Sequence, residues 1–317
     1  MSSRSATPKK PKPRPAARYG IAEWFGDDPQ DLSHTERVER AGLAADKATG
    51  VHACRFAAAL DPGAHCGKPG GVCSMRRFLR DGDAARPTDD SPVVFCPQRF
   101  LEDGAVLSWV GATMLGSERP ICIREIPFLA KQAADGETED KRAGRIDWVL
   151  VHPDAGPALR WCALESQSVY FSGRAMADDF SAWATCPDGS APFPTAVRRP
   201  DYRSSGPKRL APQLRVKVPE LRAWGAKTAV VVDEYFFSQM RGVAELAAGD
   251  TADRLANAGV VWFVVGFDGA RLEPRRAVFT RLDNAIDALN ATRPVGKTAF
   301  EAEIADCIRS GRKTFRL

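Results

Sequence analysis

The sequence has no run of about 18 apolar residues, the length that a membrane-spanning helix requires. We therefore expect no membrane span. Residues 1–18 contain neither an acidic side chain nor an apolar stretch, so they do not match a secretory signal. These absences, together with 44% hydrophobic and 27% charged residues, are typical of a globular protein. We expect it in the reducing environment of the cytoplasm.

Basic residues are concentrated in segment 1–18, which we expect to be a disordered tail. Its prolines exclude a helix. The formal net charge of the whole chain is +5, so without the tail the chain is close to neutral. The tail is either a solubilising arm or a basic arm that lies on phosphate. The cations are Arg4, Lys9, Lys10, Lys12, Arg14 and Arg18, and the prolines are Pro8, Pro11, Pro13 and Pro15.

The patterns after residue 100 predict an α/β fold, a mixed sheet flanked by helices. Predicted strands lie at 121–123, 145–151, 159–167, 228–232 and 260–265. The second and third form a hairpin through a turn-forming segment, Pro153-Asp154-Ala155-Gly156. The last two are apolar runs typical of buried parallel strands, joined by a helix at 252–258. Other predictions are a turn or helix at 19–26 and helices at 33–47, 174–184, 218–226 and from 298 onward.

The segment 50–97 holds four of the eight cysteines and few apolar runs, so it cannot bury much core alone. Four thiolates can close a tetrahedral shell around zinc or iron. The usual CxxC pairs are absent, so buried reduced cysteines are the alternative interpretation. The candidate ligands are Cys54, Cys66, Cys73 and Cys96.

Two carboxylates and an amide are expected to meet on the predicted hairpin. Asp147 lies on its first strand, and Glu165 and Gln167 lie two residues apart on the second, on one face. Close carboxylates repel each other unless a cation lies between them, and Mg²⁺ prefers such oxygen ligands. Asp…Glu-x-Gln is a variant of the nuclease pattern Asp…(Asp/Glu)-x-Lys. Two ordinary surface carboxylates are the alternative interpretation.

A basic stretch follows the hairpin inside a predicted long loop, 187–217. Arginine can read guanine through two hydrogen bonds in the major groove. The stretch is either a DNA-contacting loop or a solvated charged loop. Its cations are Arg198, Arg199, Arg203, Lys208, Arg209, Arg215 and Lys217.

Several segments, taken in order, resemble the NotI-like type II restriction endonucleases. The quoted segments are Ile21-Ala22-Glu23-Trp24-Phe25-Gly26, Gly71-Val72-Cys73, Phe95-Cys96-Pro97, Ile146-Asp147-Trp148 and Leu164-Glu165-Ser166-Gln167. The resemblance runs from about 21 to 240.

This resemblance implies a PD-(D/E)xK nuclease core that cuts double-stranded DNA at a palindromic, GC-rich site. Asp147, Glu165 and Gln167 would be catalytic, with Mg²⁺ at the two carboxylates. Glu125 would be a further acidic residue of the site. The four cysteines would hold one structural metal, iron in the NotI-like case. The enzyme would be a homodimer, paired in its host with a DNA methyltransferase.

The implied organisation is a tail (1–18), an N-terminal four-cysteine metal-binding module (19–100) and a nuclease domain (101–317). Two other functions stay open. One is a non-enzymatic DNA-binding regulator stabilised by a cysteine-bound metal. The other is a structure-specific or repair nuclease with the same core.

Overall fold

The computed structural model describes residues 17–47, 49–82, 84–132, 138–154, 156, 158–246, 248–291, 295–312 and 314–315. Only positions 17 and 18 of the predicted basic tail are among them, so the expectation of a disordered arm lies outside the described residues. Within these ranges, no helix is long and apolar enough to pass through a membrane.

An N-terminal antiparallel sheet consists of β1 (Arg18–Trp24), β2 (Val72–Asp81), β3 (Ala84–Pro87) and β4 (Val93–Val94). β2 pairs with each of the other three strands. The prediction of a turn or helix at 19–26 is therefore wrong. Strand formation here depends on pairing with β2, which lies far along the chain, so the local pattern did not reveal it.

A six-stranded mixed sheet forms the centre of the described part of the chain. Its strands are β5 (Ile121–Gln132), β6 (Thr138–Val151), β7 (Trp161–Ser166), β10 (Lys227–Asp233), β11 (Val260–Asp268) and β12 (Arg271–Thr280), and β8 (Tyr170–Ser172) pairs separately with β9 (Arg199–Asp201). The spatial order is β12-β11-β10-β7-β6-β5. β6 and β7 are antiparallel, and β10 runs parallel to β7 and β11. The predicted hairpin and the predicted parallel pair are both confirmed.

The helices of the described residues are α1 (His34–Ala45), α2 (Ala105–Leu115), α3 (Ala177–Thr185), α4 (Tyr202–Ser205), α5 (Ala211–Ala223), α6 (Glu234–Gln239), α7 (Thr251–Asn257), α8 (Leu282–Asn290) and α9 (Lys297–Ser310), with a 3-10 segment at Pro97–Gly104 and a π-helical turn at Gly206–Leu210. Of these, α2 and α5 lie against opposite faces of the central sheet. α1 begins after Ser33, as predicted. The Ser33 backbone N–H donates to the Glu36 carboxylate at 2.8 Å, and the Ser33 hydroxyl caps the helix in return.

The predicted loop at 187–217 is wrong beyond residue 198. From Arg199 the chain forms β9 and then continues through α4 and the π-helical turn into α5. The Asp201 side chain caps α4 by accepting the Ser204 N–H at 3.0 Å. Pro207 and Pro212 lie at the start of the π-helical turn and of α5, within this continuous helical stretch. In the sequence these prolines resemble loop residues.

Opposite faces of the hairpin β6–β7 pack against different helices. Val149 and Ala163 cluster with Leu221 of α5. Leu150 and Leu164 point the other way and belong to the cluster that contains α2. The N-terminal sheet shares a third cluster with the central sheet. A division of the chain near residue 100 remains a prediction.

Candidate active site

Asp147 and Glu165 lie next to each other where β6 and β7 separate. The last paired residues of these strands are Trp148 and Leu164, and the two acidic residues come next on each strand. Because side chains alternate along a strand, both lie on the face that α5 covers. The structure therefore brings the two carboxylates together beneath one helix.

Ser166 fixes the orientation of the Asp147 carboxylate. Asp147 Oδ2 accepts the backbone N–H of Ser166 at 2.9 Å and the Ser166 hydroxyl at 2.9 Å. These bonds join the two strands where their backbone pairing has ended. Among the described residues, the hydrogen bonds to the Asp147 carboxylate all reach Oδ2.

Glu165 is 4% exposed and faces a buried cation. Its Oε1 accepts a hydrogen bond from Lys217 Nζ at 2.7 Å. Burial and the nearby negative charge of Asp147 raise the pKa of Glu165 to about 7, and Lys217 opposes this rise. The site thus holds two acidic groups that repel each other and one cation that offsets part of the repulsion.

Lys217 reaches the site because it lies on the apolar face of α5. The buried residues of this helix include Leu214, Val218 and Leu221, at helical spacing around Lys217, which is itself 3% exposed. Lys217 Nζ also donates to the Arg145 carbonyl at 2.5 Å and to Gln213 Oε1 at 3.0 Å. All three ammonium protons therefore have acceptors.

Gln167 lies just beyond the end of β7. Its backbone N–H donates to the Val231 carbonyl at 3.0 Å, and its Nε2 donates to the Ser168 carbonyl at 2.6 Å. Within the part of the chain that the structure describes, its amide makes no hydrogen bond to Asp147, Glu165 or Lys217. Gln167 is therefore beside the acidic pair without a direct bond to it.

Glu125 occupies the neighbouring position on β5. Glu125 lies between two paired positions of β5 and β6, Arg124–Trp148 and Ile126–Ile146. It is therefore opposite Asp147 on β6. Its φ of 52° is left-handed, which is strained for a residue other than glycine. Its exposed Oε2 accepts a hydrogen bond from Arg145 at 2.6 Å. Such strain is frequent at functional sites.

A comparison against known protein families finds a match for this chain. A model described as restriction endonuclease NotI matches residues 37–277, which is most of the chain. The chain belongs to the NotI restriction endonuclease family. Comparison with curated proteins finds no match. The NotI family match includes the acidic pair, Gln167, Lys217 and the four candidate cysteines, and it confirms the resemblance seen in the sequence.

The basic segment of this NotI family chain divides into buried and exposed residues. Arg198 is 3% exposed and pairs with the Asp179 carboxylate. It also donates to the carbonyls of Arg174 and Ala175 at 3.0 and 2.8 Å. Arg198 and Lys217 are thus not placed to contact DNA, contrary to the prediction. The other predicted cations are exposed: Arg199, Arg203, Lys208, Arg209 and Arg215.

The four candidate cysteines lie on or beside the N-terminal sheet, and three of them, Cys54, Cys73 and Cys96, are buried. Cys54 is held by its N–H, which donates to the Ala64 carbonyl at 2.8 Å, and Cys66 by its N–H to the His52 carbonyl at 2.7 Å. The Cys73 carbonyl accepts the Cys96 N–H at 2.9 Å. Burial raises the pKa of Cys73 well above its ordinary value, and the charges of Cys96, Glu23, Cys66 and Cys54 raise it further.

Glycine and lysine complete the turn between the second and third cysteines. Gly71 has φ +65°, and a Cβ at this position would lie 2.4 Å from the Phe25 ring. Lys68 Nζ lies 3.4 Å from the centroid of the Phe95 ring and donates to the Phe95 carbonyl at 2.5 Å. No group of three or more His, Cys, Asp or Glu residues within the described ranges is arranged to hold a metal ion. The structural metal therefore remains a proposal.

Lys217 is the residue of the site that the sequence interpretation misassigned. It was grouped with the surface cations because six other basic residues precede it in the same stretch. The available signal was its position three residues after Leu214 and four before Leu221, on an apolar helical face.

Proposed function

We propose that this chain is a type II restriction endonuclease that uses Mg²⁺ at Asp147 and Glu165 to hydrolyse both strands of duplex DNA. The observation that carries the proposal is the adjacent, partly compensated carboxylate pair in a chain of the NotI family. We further propose that the central sheet is a PD-(D/E)xK nuclease core, with Glu165 and Gln167 as its Glu-x-Gln motif.

The acidic pair has the chemistry that a magnesium site needs. Both side chains offer hard oxygen donors, and their mutual repulsion favours a cation between them. Among the described residues, the hydrogen bonds to the pair reach Oδ2 of Asp147 and Oε1 of Glu165. A bound Mg²⁺ would supply electrostatic stabilisation of the phosphate and lower the pKa of a coordinated water.

The surrounding residues hold this site in shape. Ser166 orients Asp147 through two hydrogen bonds, and Lys217 holds Glu165 Oε1. Gln167 can orient a water by hydrogen bonding but adds no charge. Glu125, opposite Asp147, is proposed as a further acidic residue of the site, after release from Arg145.

DNA recognition is proposed for the exposed cations of β9 and the helices that follow. The Arg209 guanidinium lies 5.3 Å from the centroid of the Tyr170 ring. Its charge is therefore close to β8, the strand that follows the Glu-x-Gln motif. A GC-rich target fits arginine, whose two donors match guanine in the major groove. Arg199, Arg203, Lys208 and Arg215 are the other proposed contacts.

The described part of the chain holds one candidate acidic pair, so we infer that cutting both strands at one place uses two chains. A homodimer with twofold symmetry would match a palindromic site. Host DNA would then need protection at the same sequence, which fits a partner methyltransferase. We also propose one structural iron or zinc at the four cysteines, since four thiolates can close a tetrahedral shell around either ion.

Incubation of the purified protein with GC-rich duplex DNA, followed by sequencing of fragment ends, tests this function. We expect ends at one recurring palindrome, only when Mg²⁺ is present. Cuts that follow DNA structure and not sequence would identify a repair-type nuclease. Specific binding without any cut would instead identify a DNA-binding regulator.

A further inference from the structure

The position two residues after the catalytic glutamate carries a lysine in the common motif pattern of this nuclease class, and here it carries Gln167. Lysine at that position brings a positive charge to the reacting phosphate or water. We propose that Lys217, carried by α5, supplies the positive charge that Gln167 cannot supply. This inference rests on the proposed nuclease function.

Lys217 joins the two strands that carry the acidic pair. Its Nζ donates to Glu165 on β7 at 2.7 Å and to the Arg145 carbonyl on β6, two residues before Asp147, at 2.5 Å. The third proton goes to Gln213, one turn earlier on α5, at 3.0 Å. The ammonium group is therefore fixed in one place by acceptors from both strands and its own helix.

Folding alone does not explain a lysine at this position. Its neighbours on the buried face are Leu214, Val218 and Leu221, among which an apolar side chain would pack without desolvating a charge. Replacing both members of a buried ion pair with apolar residues is often neutral or stabilising, whereas removing one member leaves an uncompensated buried charge. The buried cation at position 217 is therefore explained by its pair with Glu165, whose carboxylate is close to that of Asp147.

Lys217 is thus a positioning residue, since it touches Glu165 and not the DNA. It holds one oxygen of Glu165 in place and offsets negative charge where the two carboxylates and a phosphate must come together. Exposed cations of the same region, such as Arg215, lie on the outside of α5 and cannot take over this role.

The test compares single-turnover cleavage, DNA affinity without Mg²⁺, and thermal unfolding. The variants are Lys217→Met, Lys217→Arg, Gln167→Lys and the double variant Lys217→Met with Gln167→Lys. Arg222→Met, at an exposed position of the same helix, is the matched control. Lys217→Gln replaces Lys217→Met if the latter does not fold.

We expect Lys217→Met to bind DNA as the parent does and to cleave about 100-fold more slowly or worse. Lys217→Arg should retain part of the rate. Adding Gln167→Lys to Lys217→Met should raise the cleavage rate at least about tenfold, because it returns a cation to the motif position. A purely structural lysine would not be rescued by a charge on a different element.

Cleavage at the parental rate by folded Lys217→Met would overturn the inference. A folded double variant that cleaves no faster than Lys217→Met would overturn it too. The parent chain and Asp147→Ala are measured in parallel. If the parent itself does not cut duplex DNA with Mg²⁺, the proposed function fails. If the parent cuts and Lys217→Met cuts equally fast, only the role of Lys217 fails.

Discussion

Two basic residues between 198 and 217, Arg198 and Lys217, are buried, and each meets a carboxylate. Arg198 pairs with Asp179 and Lys217 with Glu165. In the sequence they cannot be told apart from their exposed neighbours, because burial depends on which element they join. At the residue scale, a basic side chain therefore stabilises packing, adjusts the charge of the site or lies on the surface, according to the element that carries it.

Arg198→Ala should destabilise the fold and leave DNA specificity unchanged. Removing one partner of a buried ion pair leaves Asp179 as an uncompensated charge, at a cost of about 3–5 kcal/mol. Chemical denaturation measures this loss. Arg199→Ala, at the exposed neighbouring position, should change stability by less than about 0.5 kcal/mol. Equal stability of both variants would show that the Arg198–Asp179 pair contributes little.

The acidic pair itself was predictable from alternation along the two strands of the hairpin. Asp147 and Glu165 have the correct parity to share a face, and turn residues fix the pairing between their strands. The role of Lys217 was not predictable in this way, because α5 comes from a distant part of the chain. Its contact with Glu165 depends on how a helix packs on a sheet, which periodicity does not specify.

At the scale of elements, one buried carboxylate connects three of them. Asp233, at the end of β10, accepts the Phe236 N–H of α6 at 2.7 Å and the Val94 N–H of β4 at 2.7 Å. Burial raises the pKa of Asp233 from 3.8 to about 6. The folded protein therefore binds this proton more tightly than the unfolded chain does.

Asp233→Asn should remove a pH-dependent part of the unfolding free energy. Between the two pKa values the folded state holds more proton, so this group's contribution to stability falls as pH rises from about 4 to about 6. The parent should lose about 3 kcal/mol relative to the variant over that range. Denaturant unfolding of both proteins across these pH values measures it. A difference that stays constant with pH would contradict the raised pKa.

Elements with strong local patterns were predicted, and those that depend on distant partners were not. β10 and β11 are apolar runs joined by a helix, and α1 has a capping serine, so each was found from the sequence. β1 was missed because it pairs with β2, from which residues 25–71 separate it in the chain. The helical stretch from Tyr202 was missed because its prolines and glycine resemble a loop.

At the scale of the whole molecule, the cysteine segment is joined to the candidate active site. The Phe95 carbonyl accepts Lys68 Nζ at 2.5 Å and the Ser168 hydroxyl at 3.2 Å. Phe95 precedes Cys96, and Ser168 follows Gln167. A structural change at the four cysteines would therefore reach Ser168, which follows the Glu-x-Gln motif, through Phe95.

Cys73→Ser should lose the proposed structural metal and destabilise the chain, because metal binding contributes directly to folding in such modules. Cys162→Ser, a buried cysteine on β7 outside the cluster, should leave the metal content unchanged. Elemental analysis measures both. Less than about half an equivalent of iron plus zinc per chain, in parent protein that folds and cuts, would exclude the metal site.

The most direct test of the account is cleavage of duplex DNA by the parent, Asp147→Ala and the matched control Asp154→Ala. Asp154 is an exposed carboxylate in the turn of the same hairpin. We predict that Asp147→Ala binds DNA normally and cleaves at least about 100-fold more slowly, while Asp154→Ala cleaves as the parent does. Parental cleavage by Asp147→Ala would contradict the assignment of catalysis to this carboxylate pair.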